Sequence, residues 1–277
     1  MYRSYYPKRR GKSKVLILII TGIILIIAII LSFVFLPKVA SYLERQKIES
    51  DNQKTIEEIQ DIQSDTKTID SDEEVGVKKA TPIDIERGAT PQVVIEDKAY
   101  LEVPFICQAP LQTEANWVYH EESCEEAAFL QVDYYVKGIQ NVNKQTAHEE
   151  ILDMLDWQVE NLGSHHDLYG DDMKEFIVGY SEYSDDEVKV IKNAEIEDIK
   201  LEISRGNPVI VPIMGDLLQN PYYPYPGYHM LTVIGYTEDR IITNDVGTRR
   251  GKDFSYSYDR FYSAMEAAGA EILVILL

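Results

Sequence analysis

The sequence predicts an α+β domain with a mainly antiparallel sheet, preceded by one membrane-length apolar helix. Three observations carry this expectation. After residue 97 the helical periodicities come first and the strand-like runs second, the order of an α+β fold rather than of alternating β-α units. Residues 15–36 form 22 positions without a charge. Between the two lies an acidic stretch with no dense apolar pattern.

The apolar run, VLILIITGIILIIAIILSFVFL, would reach about 33 Å as a helix, enough for a hydrocarbon core of about 30 Å. Arg3, Lys8, Arg9, Arg10, Lys12 and Lys14 precede it, and Lys38 alone follows closely. Positive-inside bias then keeps residues 1–14 in the cytoplasm as a basic tail and sends everything after Pro37 across the membrane. A cleaved signal peptide needs a shorter apolar region and an A-x-A-like site. Here Lys38-Val39-Ala40 puts a lysine where a small residue is wanted, so an uncleaved single-pass anchor in the cell membrane is expected.

Residues 37–97 are expected to be an acidic, mostly disordered linker. A short stalk helix over 42–64 is the alternative, since Ile48, Thr55, Ile62 and Ile69 fall seven apart, with Ile56 and Ile59 between them, but without the sustained second apolar position of a coiled coil. Residues 98–277 are expected to be one domain of ordinary size. They hold 13 bases and 32 acids, within a chain of net charge −20. That balance excludes nucleic acid, whose binding runs on Lys and Arg neutralising phosphates. It favours a peptide or protein substrate carrying basic residues. Two cysteines cannot make a disulfide scaffold. Oligomeric state is not readable.

Within the domain the patterns predict a strand over 100–107 and helices over 124–136, 146–159, 171–180 and 195–205. The last is stopped by Gly206-Asn207-Pro208. Strands are predicted over 209–214, 229–236, 240–244 and 254–258, then a helix over 259–268 and a final strand over 271–277.

Cys124 opens the first of these helices. Ser123 before it and Glu126 three residues after Ser123 suggest a capping box, with Ser123 as N-cap. A thiol at a helix start feels the positive end of the dipole, which favours thiolate. Glu125 and Glu126 oppose this unless they point away. A buried structural cysteine, or a disulfide to Cys107, are the alternatives. A thiolate nucleophile needs a base, and His229 begins a largely apolar strand where it can face a site at the sheet's end. Asp245 ends the following strand. A three-residue loop over 237–239 would put His229 and Asp245 on one face. A two-residue loop would separate them and make Asn244 the better orienting partner. Gln108 ends the first strand just upstream of the cysteine helix, where its amide suits an oxyanion donor. Trp117 in the preceding loop, and Tyr223, Tyr225 and Tyr228 in the NPYYPYPG segment and just beyond, are candidates for a substrate rim. His120 and His148 are expected as loop and helix-surface residues. His165 and His166 are expected in a solvated loop. No cofactor or metal is implied.

The order Gln108, Cys124, His229, Asp245 resembles that of papain-like cysteine peptidases. It is similar in particular to the bacteriocin-leader (double-glycine) peptidase-like group, cysteine peptidase family thirty-nine. The matching text is VPFICQ ending at Gln108, SCEEAA from Ser123, YY at Tyr134, and NPVIV from Asn207. It continues with GYH from Gly227, VIGY from Val233 and TND ending at Asp245. The resemblance spans about residues 100–277 and implies a papain-like fold. It implies Cys124 as nucleophile, His229 as general base and acid, Asp245 as orienter and Gln108 as oxyanion donor. Glu125-Glu126 departs from the small residues that often follow the family's cysteine. With one anchor and no Walker-type loop, leader processing during export is not implied. The expected function is a membrane-anchored extracytoplasmic cysteine peptidase or amidase. The alternatives are a non-catalytic binding module, or an acyltransferase or peptidoglycan-acting enzyme with the same triad.

Overall fold

A computed structural model describes residues 12–71, 93–111, 117–222 and 227–276, without the side chains of residues 12–15, 65–71 and 117. Helix α1 (Lys12–Ser71) contains the apolar run and has Pro37 within it. It is the one helix among the described residues that is long and apolar enough to cross a membrane, with mean hydropathy 3.3 over its most apolar stretch. The chain divides into two compact units, Met1–Ser50 and Asp51–Leu277. In the first, the side chains of the apolar run are almost all exposed.

The second unit is α+β, as the sequence predicts. Its elements are β1 (Ala99–Tyr100), α2 (Trp117–His120), α3 (Cys124–Val136), α4 (Lys144–Asn161), α5 (Gly170–Tyr180), β2 (Val188–Lys192), α6 (Ile196–Ser204), β3 (Val209–Met214), α7 (Gly215–Leu218), β4 (Tyr228–Tyr236), β5 (Arg240–Asn244), β6 (Phe254–Ser257), α8 (Tyr258–Ala267) and β7 (Glu271–Ile275). All strand pairings are antiparallel, in the order β2-β7-β3-β4-β5-β6, with β1 also beside β4. Helices α3, α4 and α5 cover one sheet face, and α6 and α8 the other. Of the strand predicted over 100–107 only Tyr100 joins the ladder; the rest forms no regular strand, although Leu101 N donates to the Ile234 carbonyl at 2.8 Å. Strand β2 was not expected. It is an edge strand in which Lys189 and Lys192 interrupt the apolar pattern, the kind of charge that blunts exposed edges.

Helix α3 is the centre of the fold. Cys124 through Tyr134 are all buried, so the helix is enclosed all round and not by one stripe. Ala127 and Ala128 are fully buried and let the helix lie close on β4, where Thr232 Oγ1 donates to the Ala128 carbonyl at 3.3 Å. Gln131 Nε2 reaches the Ile106 carbonyl at 2.8 Å, and Asp133 accepts from Lys137 and Tyr183, whereas the buried Gln131 Oε1 and Glu126 Oε2 have no partner among the described residues.

The expectation of a mostly solvated spacer over 37–97 differs from what residues 51–64 do. They are helical and part of the domain's packing. Thr55 and Ile59 are buried, at 0 % and 4 % exposure. Ile59 sits in a cluster with Val103, Ile234 and Ile242. Asn52 Oδ1 accepts from the Ser255 backbone N–H at 2.9 Å and hydroxyl at 2.8 Å, and Thr55 Oγ1 lies 2.9 Å from Ser255 Oγ. Nothing beside Thr55 and Ile59 in the chain marks this packing, because Ser255, Ile234 and Ile242 lie far along the sequence.

Candidate active site

Two residues of the predicted site meet directly. His229 Nε2 donates to Asp245 Oδ1 at 3.1 Å, with His229 8 % and Asp245 0 % exposed. The strand register that brings them together was only half foreseen. At the turn Thr237 N donates to the Arg240 carbonyl at 2.9 Å, so Glu238 and Asp239 form a two-residue connection. The adjoining pairs Tyr236↔Ile241 and Gly235↔Ile242 continue that register. Extended without change, it would put His229 and Asp245 on opposite faces. A β-bulge at Ile234 intervenes, after which Val233↔Thr243 and Thr232↔Asn244 are opposite. One extra residue on β4 restores the parity, and His229 and Asp245 share a face. The bulge lies where β1 joins β4. A side chain on Gly235 would meet the Ala99 carbonyl oxygen at 2.6 Å, so glycine permits that approach.

Asp245 is held on every side. Its Oδ2 accepts from the Tyr256 hydroxyl at 2.6 Å and Asn220 Nδ2 at 3.2 Å. Its Oδ1 also accepts from the Gly247 N–H at 3.1 Å. Asn220 Nδ2 contacts Tyr256 Oη at 2.7 Å, closing a small network. The backbone of Asp245 is fixed by its N–H to the Gly251 carbonyl at 2.9 Å. With donors on both oxygens, the carboxyl acts as acceptor and His229 Nε2 carries the proton. Neutral imidazole in that tautomer is basic at Nδ1. His229 meets Asp245, while Asn244 is engaged elsewhere. Its amide donates to the Val103 carbonyl at 3.0 Å and fastens the segment after β1.

Cys124 begins α3 and is 6 % exposed. Both cysteines are free, so no Cys107–Cys124 bond forms. The backbone N–H of Met230, the residue after His229, lies within hydrogen-bonding reach of the Cys124 sulfur. The register explains why this amide is available. Met230 faces Pro212 on β3, and proline has no N–H to offer. This pair is therefore not hydrogen-bonded, and the Met230 N–H points toward the β5 side. There β5 has already ended at Asn244, opposite Thr232.

The expected capping box is not formed. Ser123 is the N-cap without a side-chain cap bond. Its hydroxyl turns back to the carbonyls of Gln108 at 3.2 Å and His120 at 3.1 Å. Glu126 instead accepts from Gln158 Nε2. Glu125 Oε2 accepts the Cys124 S–H at 3.1 Å, and Glu125 Oε1 accepts the Leu168 N–H at 3.0 Å. Burial and the Glu125 carboxylate push the Cys124 thiol well above the ordinary range, with the Met230 amide pulling the other way. The helix-dipole expectation is overridden, because the acids point inward. Burial likewise raises Glu125 to about 7 and Glu126 well above the carboxylate range.

Gln108 lies beside these residues, but its amide is engaged. Nε2 donates to the carbonyls of His120 at 2.9 Å and Glu121 at 3.1 Å, while the buried Oε1 has no partner among the described residues. Gln108 thus braces the loop that delivers Cys124. His120 was expected as a loop residue. It ends α2, is fully buried, and its Nε2 sits 2.8 Å from Nδ1 of His148. Burial and the neighbouring ring lower His120 to about 4. His165 and His166 are exposed, as expected. Of the candidate rim, Tyr228 stands near Glu125 and Cys124; burial, and then the Glu125 carboxylate, raise its phenol. It is a fixed wall, since its hydroxyl donates to the Leu168 carbonyl at 2.6 Å. Tyr223, Tyr225 and the Trp117 side chain lie outside the described residues.

Asn220 and Tyr256 were missed as site residues. Asn220 opens the tyrosine-proline segment upstream of His229, which marked it faintly. Tyr256 gave no signal, because its role depends on β6 pairing with β5.

No protein of curated function matches the chain. Among solved structures, a Bacillus anthracis protein assigned as a C39-like peptidase is similar, at 16% identity and a TM-score of 0.47, over 66% of this chain and 98% of that one. The profile of the Peptidase_C39 like family matches residues 100–270, and the chain belongs to that family.

Proposed function

We propose that this chain is a membrane-anchored cysteine peptidase or amidase that uses Cys124, His229 and Asp245. The observation that carries the proposal is the buried His229–Asp245 pair, with Nε2 engaged by a carboxylate that itself accepts from Tyr256, Asn220 and Gly247. Such a network is what a general base needs, since it fixes the tautomer and stabilises the imidazolium. In the reaction, the Cys124 proton passes to His229 Nδ1 and the sulfur attacks the acyl carbonyl. The imidazolium then protonates the leaving amine. Water, deprotonated by the same nitrogen, hydrolyses the thioester and frees the sulfur. With Gln108 engaged in bracing the loop, the backbone N–H of Cys124, which has no intrahelical acceptor, would donate to the oxyanion in its place.

The anchor would be residues 15–36, with the basic N-terminus cytoplasmic and the domain outside. The seven bases and no acids in residues 1–42 support this orientation. Peptides bearing Lys or Arg are the proposed substrates, given the acidic domain.

A non-catalytic module is the second reading, and the proton that Glu125 holds on Cys124 favours it. The test is cleavage of a basic peptide library by the full chain in detergent. Product masses that vanish in Cys124→Ala and fall about 10²- to 10⁴-fold in His229→Ala support the peptidase. Wild-type inactivity, or products unchanged in Cys124→Ala, overturns it.

A further inference from the structure

The residue that touches the thiol is Glu125. Its two carboxylate oxygens are divided between the Cys124 S–H at 3.1 Å and the Leu168 N–H at 3.0 Å. At 1 % exposure this carboxylate is screened very little by water. The groups that face it are Cys124 and Glu126 on α3, Asp167 and Tyr169 from the loop before α5, and Tyr228 from β4. Every charged form among them is an anion, so none of them offsets its effect on the sulfur; in the proposed reaction the His229 imidazolium is the charge that would. Leu168 also receives the Tyr228 hydroxyl on its carbonyl, and the Tyr169 and Tyr228 rings lie 4.6 Å apart. The carboxylate is therefore held in place by a loop and a strand besides its own helix.

We propose that Glu125 is a positioning residue that sets the resting state of the nucleophile: its carboxylate holds Cys124 as a hydrogen-bonded thiol, and loss of that negative charge lets the thiolate form. The inference rests on Cys124 being the nucleophile of the proposed reaction. A negative charge at this distance disfavours thiolate and leaves the neutral thiol as donor. A neutral amide in its place would accept from Leu168 through oxygen and donate to sulfur through nitrogen, favouring thiolate. In the native chain the same effect follows protonation. Below the pH at which Glu125 ionises, thiolate rises about tenfold per pH unit. Once Glu125 ionises, each gain in thiolate is opposed by the new charge, and the profile flattens.

The experiment is alkylation of the full chain in detergent by iodoacetamide between pH 5.5 and 9, with each cysteine followed by peptide mass and Cys107 as internal reference. Wild type, Glu125→Gln, His229→Ala and the double variant are compared. The expected result is Cys124 labelling at least about tenfold faster in Glu125→Gln than in wild type near pH 7.5, a shift of one unit or more in effective thiol acidity. Slower labelling in Glu125→Gln would make Glu125 the base and overturn the proposal. Unchanged labelling with native melting would make it structural and also overturn it. If Glu125→Gln does not fold, the His229→Ala profile decides. Flattening above about pH 7 supports the proposal, and a unit slope throughout overturns it. Failure of the triad reading has a separate mark, namely equal labelling in Glu125→Gln and the double variant.

Discussion

Replacing Gly251 with alanine should disable the site without touching any of its side chains. An added Cβ would stand 1.8 Å from the Asp245 carbonyl oxygen, 2.7 Å from its carbon and 3.0 Å from the Asp245 Cβ. The two nearest of these are backbone atoms, so no rotamer change relieves the clash. Opening 1.8 Å to an ordinary contact of roughly 3.2–3.5 Å moves the two segments apart by roughly 1.5 Å. The Asp245 N–H to Gly251 carbonyl bond, 2.9 Å in the native chain, is lost or stretched. Asp245 is then carried away from His229 Nε2, its partner at 3.1 Å. With Asp245 orienting the base as proposed, a displacement of about 1 Å there costs on the order of 10²-fold in rate. Overpacking of this kind costs about 1–3 kcal/mol in stability. Peptide cleavage and urea unfolding of Gly251→Ala measure both. Activity within about twofold of wild type at unchanged stability would refute the argument that this backbone crossing fixes Asp245.

Tyr256→Phe removes the 2.6 Å hydroxyl donor from Asp245. A hydrogen bond to a charged group is worth about 1.5–3 kcal/mol, so cleavage should fall about tenfold or more, with the melting temperature lowered; an unchanged rate counts against the network. Ile59→Ala should destabilise the domain by about 2–4 kcal/mol, because Ile59 is 4 % exposed within a cluster of the sheet; urea titration without loss of stability would return residues 51–64 to a mere spacer. His120, lowered from 6.5 to about 4, binds a proton more weakly folded than unfolded. Its stabilising contribution is therefore present above pH 6.5 and lost as pH falls toward 4, by about 3 kcal/mol. A His120→Gln variant with the wild-type pH dependence of melting would contradict this.

Much of the domain could be read from the sequence because its helices and strands carry their periods openly. Strands β3 and β5 fall at the predicted limits, and α3 begins at Cys124 as expected. What escaped depended on long-range geometry. The two-residue turn after Thr237 and the bulge at Ile234 each invert the facing of His229 and Asp245. The predicted placement thus emerged from two departures that cancel. Gln108 was located correctly beside the cysteine helix, yet its amide is used by the carbonyls of residues 120 and 121. A residue's chemistry suggests what it can donate to, and only the fold shows what is already there. The opposing influence of Glu125 and Glu126 was visible in the chain, whereas the inward turn of both carboxylates depends on Leu168 and Gln158.

The account is tested most directly by capturing the covalent intermediate. The full chain in detergent, mixed with an activated ester of a basic peptide and quenched in acid within milliseconds to seconds, should carry one acyl group on the Cys124 peptide. The adduct should be absent in Cys124→Ala and strongly slowed in His229→Ala and Asp245→Asn, by up to about 10⁴-fold for a lost orienter. An adduct on Cys107, or one on Cys124 that forms equally fast without His229, would contradict the triad.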